Sequence, residues 1–160
     1  MLSILLLFSA SIPDQARLEE AVRTAIEDEI GFASSATIDK DMDLYMQTVP
    51  DDYRIDEDDG STTDKTRLRE KQAQAWSLIR RTNKIKINIT DFKLGCAGEC
   101  ADVKTDQLWD RQMTGRDGVS EFNVVTTQKH NEKWALRGGR WMQTYIKELG
   151  GTIMVDGKPY

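Results

Sequence analysis

The sequence predicts a single α+β domain, and a change of hydrophobic period carries that prediction. Over the first half of the chain the apolar side chains recur every three or four positions, as helices require; from Thr82 onward they alternate, as half-buried strands require. Size agrees, because 160 residues bury one core but hardly two.

Leu18, Val22, Ile26, Ile30 and Ala33 share one face of a first helix over Gln15 to Thr37, with Glu19, Glu20, Arg23, Glu27 and Asp28 elsewhere on it. Asp39 is the expected cap of a shorter helix through Met42, Leu44, Tyr45, Met46 and Val49, which the chain must leave at Pro50. Asp51 to Thr63 is acidic and ends in the turn signal Asp59-Gly60-Ser61, so it reads as a loop with at most a short strand around Tyr53 to Ile55. Asp64 then caps a third helix running to about Arg81, with Leu68, Ala75, Trp76 and Ile79 on its buried side.

Lys84 to Thr90 puts Ile85, Ile87 and Ile89 on one face of a strand. A second strand, Ala101 to Met113, carries Val103, Thr105, Gln107, Trp109 and Arg111 on a common face. Gly115 to Gly118 turns the chain into a third, Val119 to about Arg137, with a bulge expected near Lys129 to Asn131. Gly138-Gly139 leads to a last strand, Arg140 to Lys147, with Trp141, Gln143 and Tyr145 on one side. Such a curved antiparallel sheet wraps over the helices and leaves a space between the layers.

Twenty-seven acids against 22 bases give a net charge of −5, the wrong field for a phosphate backbone, so no nucleic-acid partner is expected. One histidine and two cysteines are too few for a multi-ligand metal site, and no cofactor is expected. Residues 1–13, MLSILLLFSASIP, form a short uncharged apolar run followed by small residues, read as a signal peptide although a basic start is missing. Residues 14–148 are then the domain and 149–160 a C-terminal tail. An exported product, periplasmic or secreted, with no stable membrane anchor after cleavage, follows. Cys96 and Cys100 flank a glycine-containing turn; in an exported protein they read as one disulfide, in the cytosol as a dithiol.

Several phrases carry a resemblance. Lys40-Asp41-Met42-Asp43-Leu44, Asp51-Asp52-Tyr53, Asp59-Gly60, and Glu132-Lys133-Trp134 followed by Arg137-Gly138-Gly139-Arg140-Trp141 resemble, in this order over residues 17–148, the SnoaL-like or DUF4440-type bacterial members of the NTF2-like superfamily. The resemblance implies an NTF2-like, cystatin-like cone: three N-terminal helices packed in a curved antiparallel sheet, a cavity at the open end, and often a homodimer through the outer sheet face. The family spans isomerases, cyclases, dehydratases and members that only bind or scaffold, so the site must decide among them.

By that resemblance Glu57 falls where isomerase-like members carry a base, and Glu132 on the strand carboxylate; two acids in a dry cavity can divide the roles of base and hydrogen-bond donor. The family's helix-one tyrosine aligns with Ala33, which removes that donor. His130 shares a face with Glu132 on an undisturbed strand and turns outward if a bulge intervenes. Trp76, Trp109 and Trp134 are candidate ligand contacts, as is Arg111, whose inward placement would favour an acidic ligand. The expected function is binding of a small, largely apolar molecule in the cone or a dimeric scaffold; the alternatives are acid/base catalysis by Glu57 and Glu132, and an interaction domain using the outer sheet face.

Overall fold

The structure, a computed structural model, describes residues 12–160. The leader assigned to residues 1–13 lies almost wholly outside them. Helix α1 spans Ile12–Asp39, with Val22 and Ile26 buried against the sheet. Helix α2 is Met42–Met46; its cap is Asp41 rather than Asp39, the Asp41 carboxylate accepting from the Leu44 amide at 2.9 Å. Two short strands follow, β1 (Arg54–Asp56) and β2 (Thr62–Asp64), and then α3 (Lys65–Leu78), capped by Asp64 as expected. Helix α3 ends three residues before the expected Arg81, because Ile79 is buried at the start of a strand and pairs with Met113.

The sheet is built mainly from four long strands: β3 (Ile79–Gly95), β4 (Cys100–Thr114), β5 (Glu121–Arg137) and β6 (Arg140–Val155). A two-residue β7 (Lys158–Pro159) pairs with β6. The strand order is β2-β1-β6-β5-β4-β3, antiparallel except for β1 against β6, which run parallel, so the sheet is mixed. Residues 149–155, assigned from sequence to a tail, are the second half of β6. Their signal is hidden by Gly150-Gly151, where β6 kinks with Gly150 at φ 90°.

Register decides which side chains face the helices. The pairing of β4 with β5 is unbroken from Cys100↔Ala135 to Thr114↔Glu121, so both strands keep strict alternation. The expected irregularity near Lys129 falls instead on the opposite strand. Gln128 pairs with Gly151 and His130 with Glu148, so β6 spends one extra residue at Leu149-Gly150; it spends another at Thr144, between Lys133↔Tyr145 and Trp134↔Gln143. Each bulge exchanges the two faces of β6. Trp141 and Gln143 point inward, Tyr145 points outward to donate a hydrogen bond to Asp56 at 2.8 Å, and Ile146 and Glu148 point inward again. The expectation that Tyr145 shares a side with Trp141 and Gln143 fails for that reason.

Two apolar clusters hold the layers together. Val22, Ile26, Ala101, Val103, Trp134 and Trp141 form one; Met46, Val49, Tyr53, Ile55, Leu68 and Ile146 form the other. Glu29 on α1 pairs with Arg140 on β6 at 2.6 Å, closing one side. Beyond the end of β3, Cys96 and Cys100 are joined in a disulfide.

Candidate functional site

Between the two clusters lies a cavity of about 190 Å³, walled by α1, α2, the Tyr53–Ile55 segment, α3 and the inner face of the sheet. Its lining is mostly apolar, which suits a small organic molecule. Unbroken alternation in β4 and β5 brings Gln107 and Trp109 to it from one strand and Gln128, His130, Glu132 and Trp134 from the next.

The buried polar groups form one connected network. Glu132, 2% exposed, accepts from the Thr105 hydroxyl at 2.6 Å and from the Trp134 indole at 2.9 Å. Burial pushes this carboxyl up, but the hydrogen bonds made to its oxygens outweigh it and hold the group below its ordinary value. Gln107 ties the network to the histidine. Its Oε1 accepts from the Trp109 indole at 3.1 Å, and its Nε2 lies 3.3 Å from Glu132 Oε1 and 2.9 Å from His130 Nδ1.

That arrangement assigns the imidazole tautomer. An indole N–H only donates and a carboxylate only accepts, so the Gln107 amide has one orientation and its nitrogen faces His130. Nδ1 therefore accepts, and the proton sits on Nε2. His130 is 6% exposed, and its Nε2 has no hydrogen-bond partner among the described residues. A buried donor with no partner in a cavity wall is an expensive arrangement unless a ligand completes it.

Three further groups face the same space. Tyr45 and Tyr53 line the cavity, and burial raises both phenols, Tyr45 to about 12 and Tyr53 well above the ordinary phenol value, so both remain neutral hydrogen-bond donors. They supply from α2 and the following loop what Ala33, also in the lining, does not. Glu148 is the cross-strand partner of His130, and burial raises its carboxyl above the ordinary value.

The residues proposed from sequence divide accordingly. Glu132, His130, Trp109 and Trp134 line the cavity. Glu57 does not: it is held on the flank by Lys71 and by the Thr63 hydroxyl, so the Glu57 and Glu132 pair is not assembled. Trp76 is likewise outside the lining, buried edge-on against Tyr45 with ring centroids 5.8 Å apart. Arg111 lies on the cavity face of β4, one inward position beyond Trp109. Sequence reasoning missed Glu148 because of the two bulges, and Gln107 because an inward glutamine carries no signature.

No family model matches the sequence, and no curated protein matches it. Solved structures do match the fold. A candidate scytalone dehydratase from Novosphingobium aromaticivorans superposes with a TM-score of 0.73 at 11% identity, over 88% of this chain and 89% of that one. An NTF2-like protein from Cytophaga hutchinsonii gives 0.60 at 14% identity, over 79% and 95%. The hexachlorocyclohexane dehydrochlorinase LinA-type3 from Novosphingobium barchaimii gives 0.59 at 12% identity, over 87% and 94%. The chain has the NTF2-like α+β cone fold, a fold that serves both binding proteins and enzymes.

Proposed function

We propose that the cone binds a small, largely apolar molecule carrying an oxygen acceptor, which sits on the Nε2–H of His130. The observation that carries this reading is the buried, unpartnered Nε2 of His130, a residue that lines the cavity and is held in its donor tautomer by Gln107. Binding of 2-tetralone, a compact apolar ketone, tests it. Trp109, Trp134 and Trp141 line the cavity and report occupancy through tryptophan fluorescence. A saturable change that weakens at least tenfold in His130→Phe is expected; a wild-type protein indifferent to 2-tetralone and other apolar carbonyl compounds overturns the reading.

The position of Glu148 favours a second reading, acid/base catalysis at the same cavity. A carboxyl raised by burial and directly across from His130 is suited to take a proton from carbon while His130 and the phenols hydrogen-bond the enolate oxygen that receives the electron pair. The dehydrochlorinase and candidate dehydratase among the structural neighbours are consistent with proton abstraction of this kind. Deuterium uptake from D2O into 2-tetralone, accelerated by the protein and lost in Glu148→Gln, is the expected result; uptake at the buffer rate removes catalysis and leaves binding.

The Cys96–Cys100 disulfide supports an exported protein, since such bonds persist in oxidising compartments. Sequencing the mature N-terminus of the envelope or secreted fraction tests this; an intact Met1 argues against leader cleavage.

A further inference from the structure

Arg111 poses a separate problem. It is half-buried on the inner face of β4, and burial depresses its guanidinium below the ordinary arginine value. Its Nη2 donates to the Thr126 hydroxyl at 2.8 Å, while its Nε is buried without any hydrogen-bond partner. No carboxylate among the described residues pairs with it, and residues 1–11 contain no acid. The neighbouring Asp110 is no exception. It projects to the opposite face of the strand, where the Asn83 and Asn123 amides hold it at 2.9 and 3.1 Å. A buried cation without a counter-ion is costly, and a guanidinium with open donors is shaped for a carboxylate.

The geometry also says where such a carboxylate would lie. Thr126 is the cross-strand partner of Trp109, so the Arg111 side chain leans from its own position back toward the cavity. Along β4 the residues change from buried at Thr105 and Gln107 to half-buried at Trp109 and Arg111, which marks this end as the way out to solvent. Deeper in, Glu132 and Glu148 repel a second anion, and Arg140 is already paired with Glu29. His130 stands across from Thr105, four residues from the Trp109 level, a separation of about 13 Å at the usual rise per strand residue.

We propose that Arg111 anchors the carboxylate of the ligand at the cavity rim, so that the molecule taken is an elongated monocarboxylic acid whose apolar body passes Trp109 toward His130. This specifies the ligand class of the small-molecule reading above and rests on it. Carboxylates are recognised by Arg111; the apolar cavity and the His130 donor recognise the rest.

The test compares 4-phenylbutyrate with 4-phenylbutanamide, which share an apolar body and differ in charge, by calorimetry and tryptophan fluorescence. The acid is expected to bind the wild-type protein at least tenfold more tightly than the amide. Arg111→Gln should abolish that preference by weakening the acid and sparing the amide, and Arg111→Lys should restore part of it. The wild-type comparison needs no variant, so a misfolded Arg111→Gln does not obscure the result. Equal binding of acid and amide to the wild type overturns the anchor while leaving the cavity reading intact. Failure of both, together with 2-tetralone, overturns the two readings at once.

Discussion

Gln107 Nε2 stands 2.9 Å from His130 Nδ1, and this contact determines which imidazole nitrogen carries the proton. The chain has one histidine, so its ring nitrogens give a single pair of 15N signals. The expected wild-type pattern is the neutral Nε2–H form. Gln107→Leu removes the donor to Nδ1 and leaves Glu132 as the acceptor beside it, so the proton should move to Nδ1. An unchanged Nε2–H pattern in this variant would show that something other than Gln107 sets the tautomer.

Glu132→Gln should cost about 1–3 kcal/mol, because an amide nitrogen must then face either the Trp134 indole or Gln107, and a buried donor loses its acceptor. The variant should also alter acid unfolding. A carboxyl held below its ordinary value of 4.5 contributes stability that is present above that value and is lost as the pH falls through the lower folded-state value. Urea midpoints collected from pH 7 downward should fall less steeply below 4.5 in Glu132→Gln than in the wild type.

Glu148 has the opposite sign. Its folded-state value is raised by burial, so the folded protein holds this proton more tightly than the unfolded chain, and stability falls as the pH rises through the interval between the two values. Glu148→Gln should therefore raise Tm modestly at pH 7 and leave it nearly unchanged at pH 3.5, a contrast that differential scanning calorimetry resolves. A fall in Tm at pH 7 would mean that the Glu148 contact with the Asp58 amide, at 3.4 Å, outweighs the burial cost.

A methyl group at Gly151 would overlap the Thr127 carbonyl oxygen and touch Gln128 Cα, both backbone. Since backbone cannot swing aside as a side chain does, Gly151→Ala should destabilise the protein by about 1–3 kcal/mol and loosen amide protection on β5 and β6 around Gln128. Gly31→Ala is the control: it meets nothing within 4 Å and should be neutral or slightly stabilising.

Reduction of the Cys96–Cys100 bond opens a short loop, and the chain-entropy estimate for its length is about 2 kcal/mol. Thermal melts with and without dithiothreitol should differ by that order, and the difference should vanish in the Cys96→Ser, Cys100→Ser double variant.

The residues show where sequence reading succeeds and where it stops. Val103, Thr105, Gln107, Trp109 and Arg111 were assigned a common face from alternation alone, and the assignment holds because β4 pairs with β5 without interruption. The same rule misplaced Tyr145 and passed over Glu148, because bulges in β6 are set by strand pairing across the sheet and leave no period in the strand itself. Glu57 illustrates a different limit. Counting along an acidic loop puts it at the base position, whereas Lys71 on α3 and Thr63 on β2 decide where the carboxylate goes, and neither contact is legible before those two elements are placed. His130 turned on a single question of phase, and the bulge fell on the partner strand.

The two extra residues in β6 act as phase shifters. Between them, from Tyr145 to Glu148, the cavity receives the even-numbered Ile146 and Glu148, while the segment before Thr144 presents the odd-numbered Trp141 and Gln143. Losing Thr144 and one residue of Leu149-Gly150 would restore plain pairing with β5 and leave Ile146 and Glu148 facing in, because Lys133↔Tyr145 and His130↔Glu148 would keep their partners. What the extra residues supply is curvature: each bends β6 and increases its twist where the strand passes the cavity. In this cone, chain length within a strand sets how the wall curves around a ligand, while the pairing with β5 sets which side chains line it.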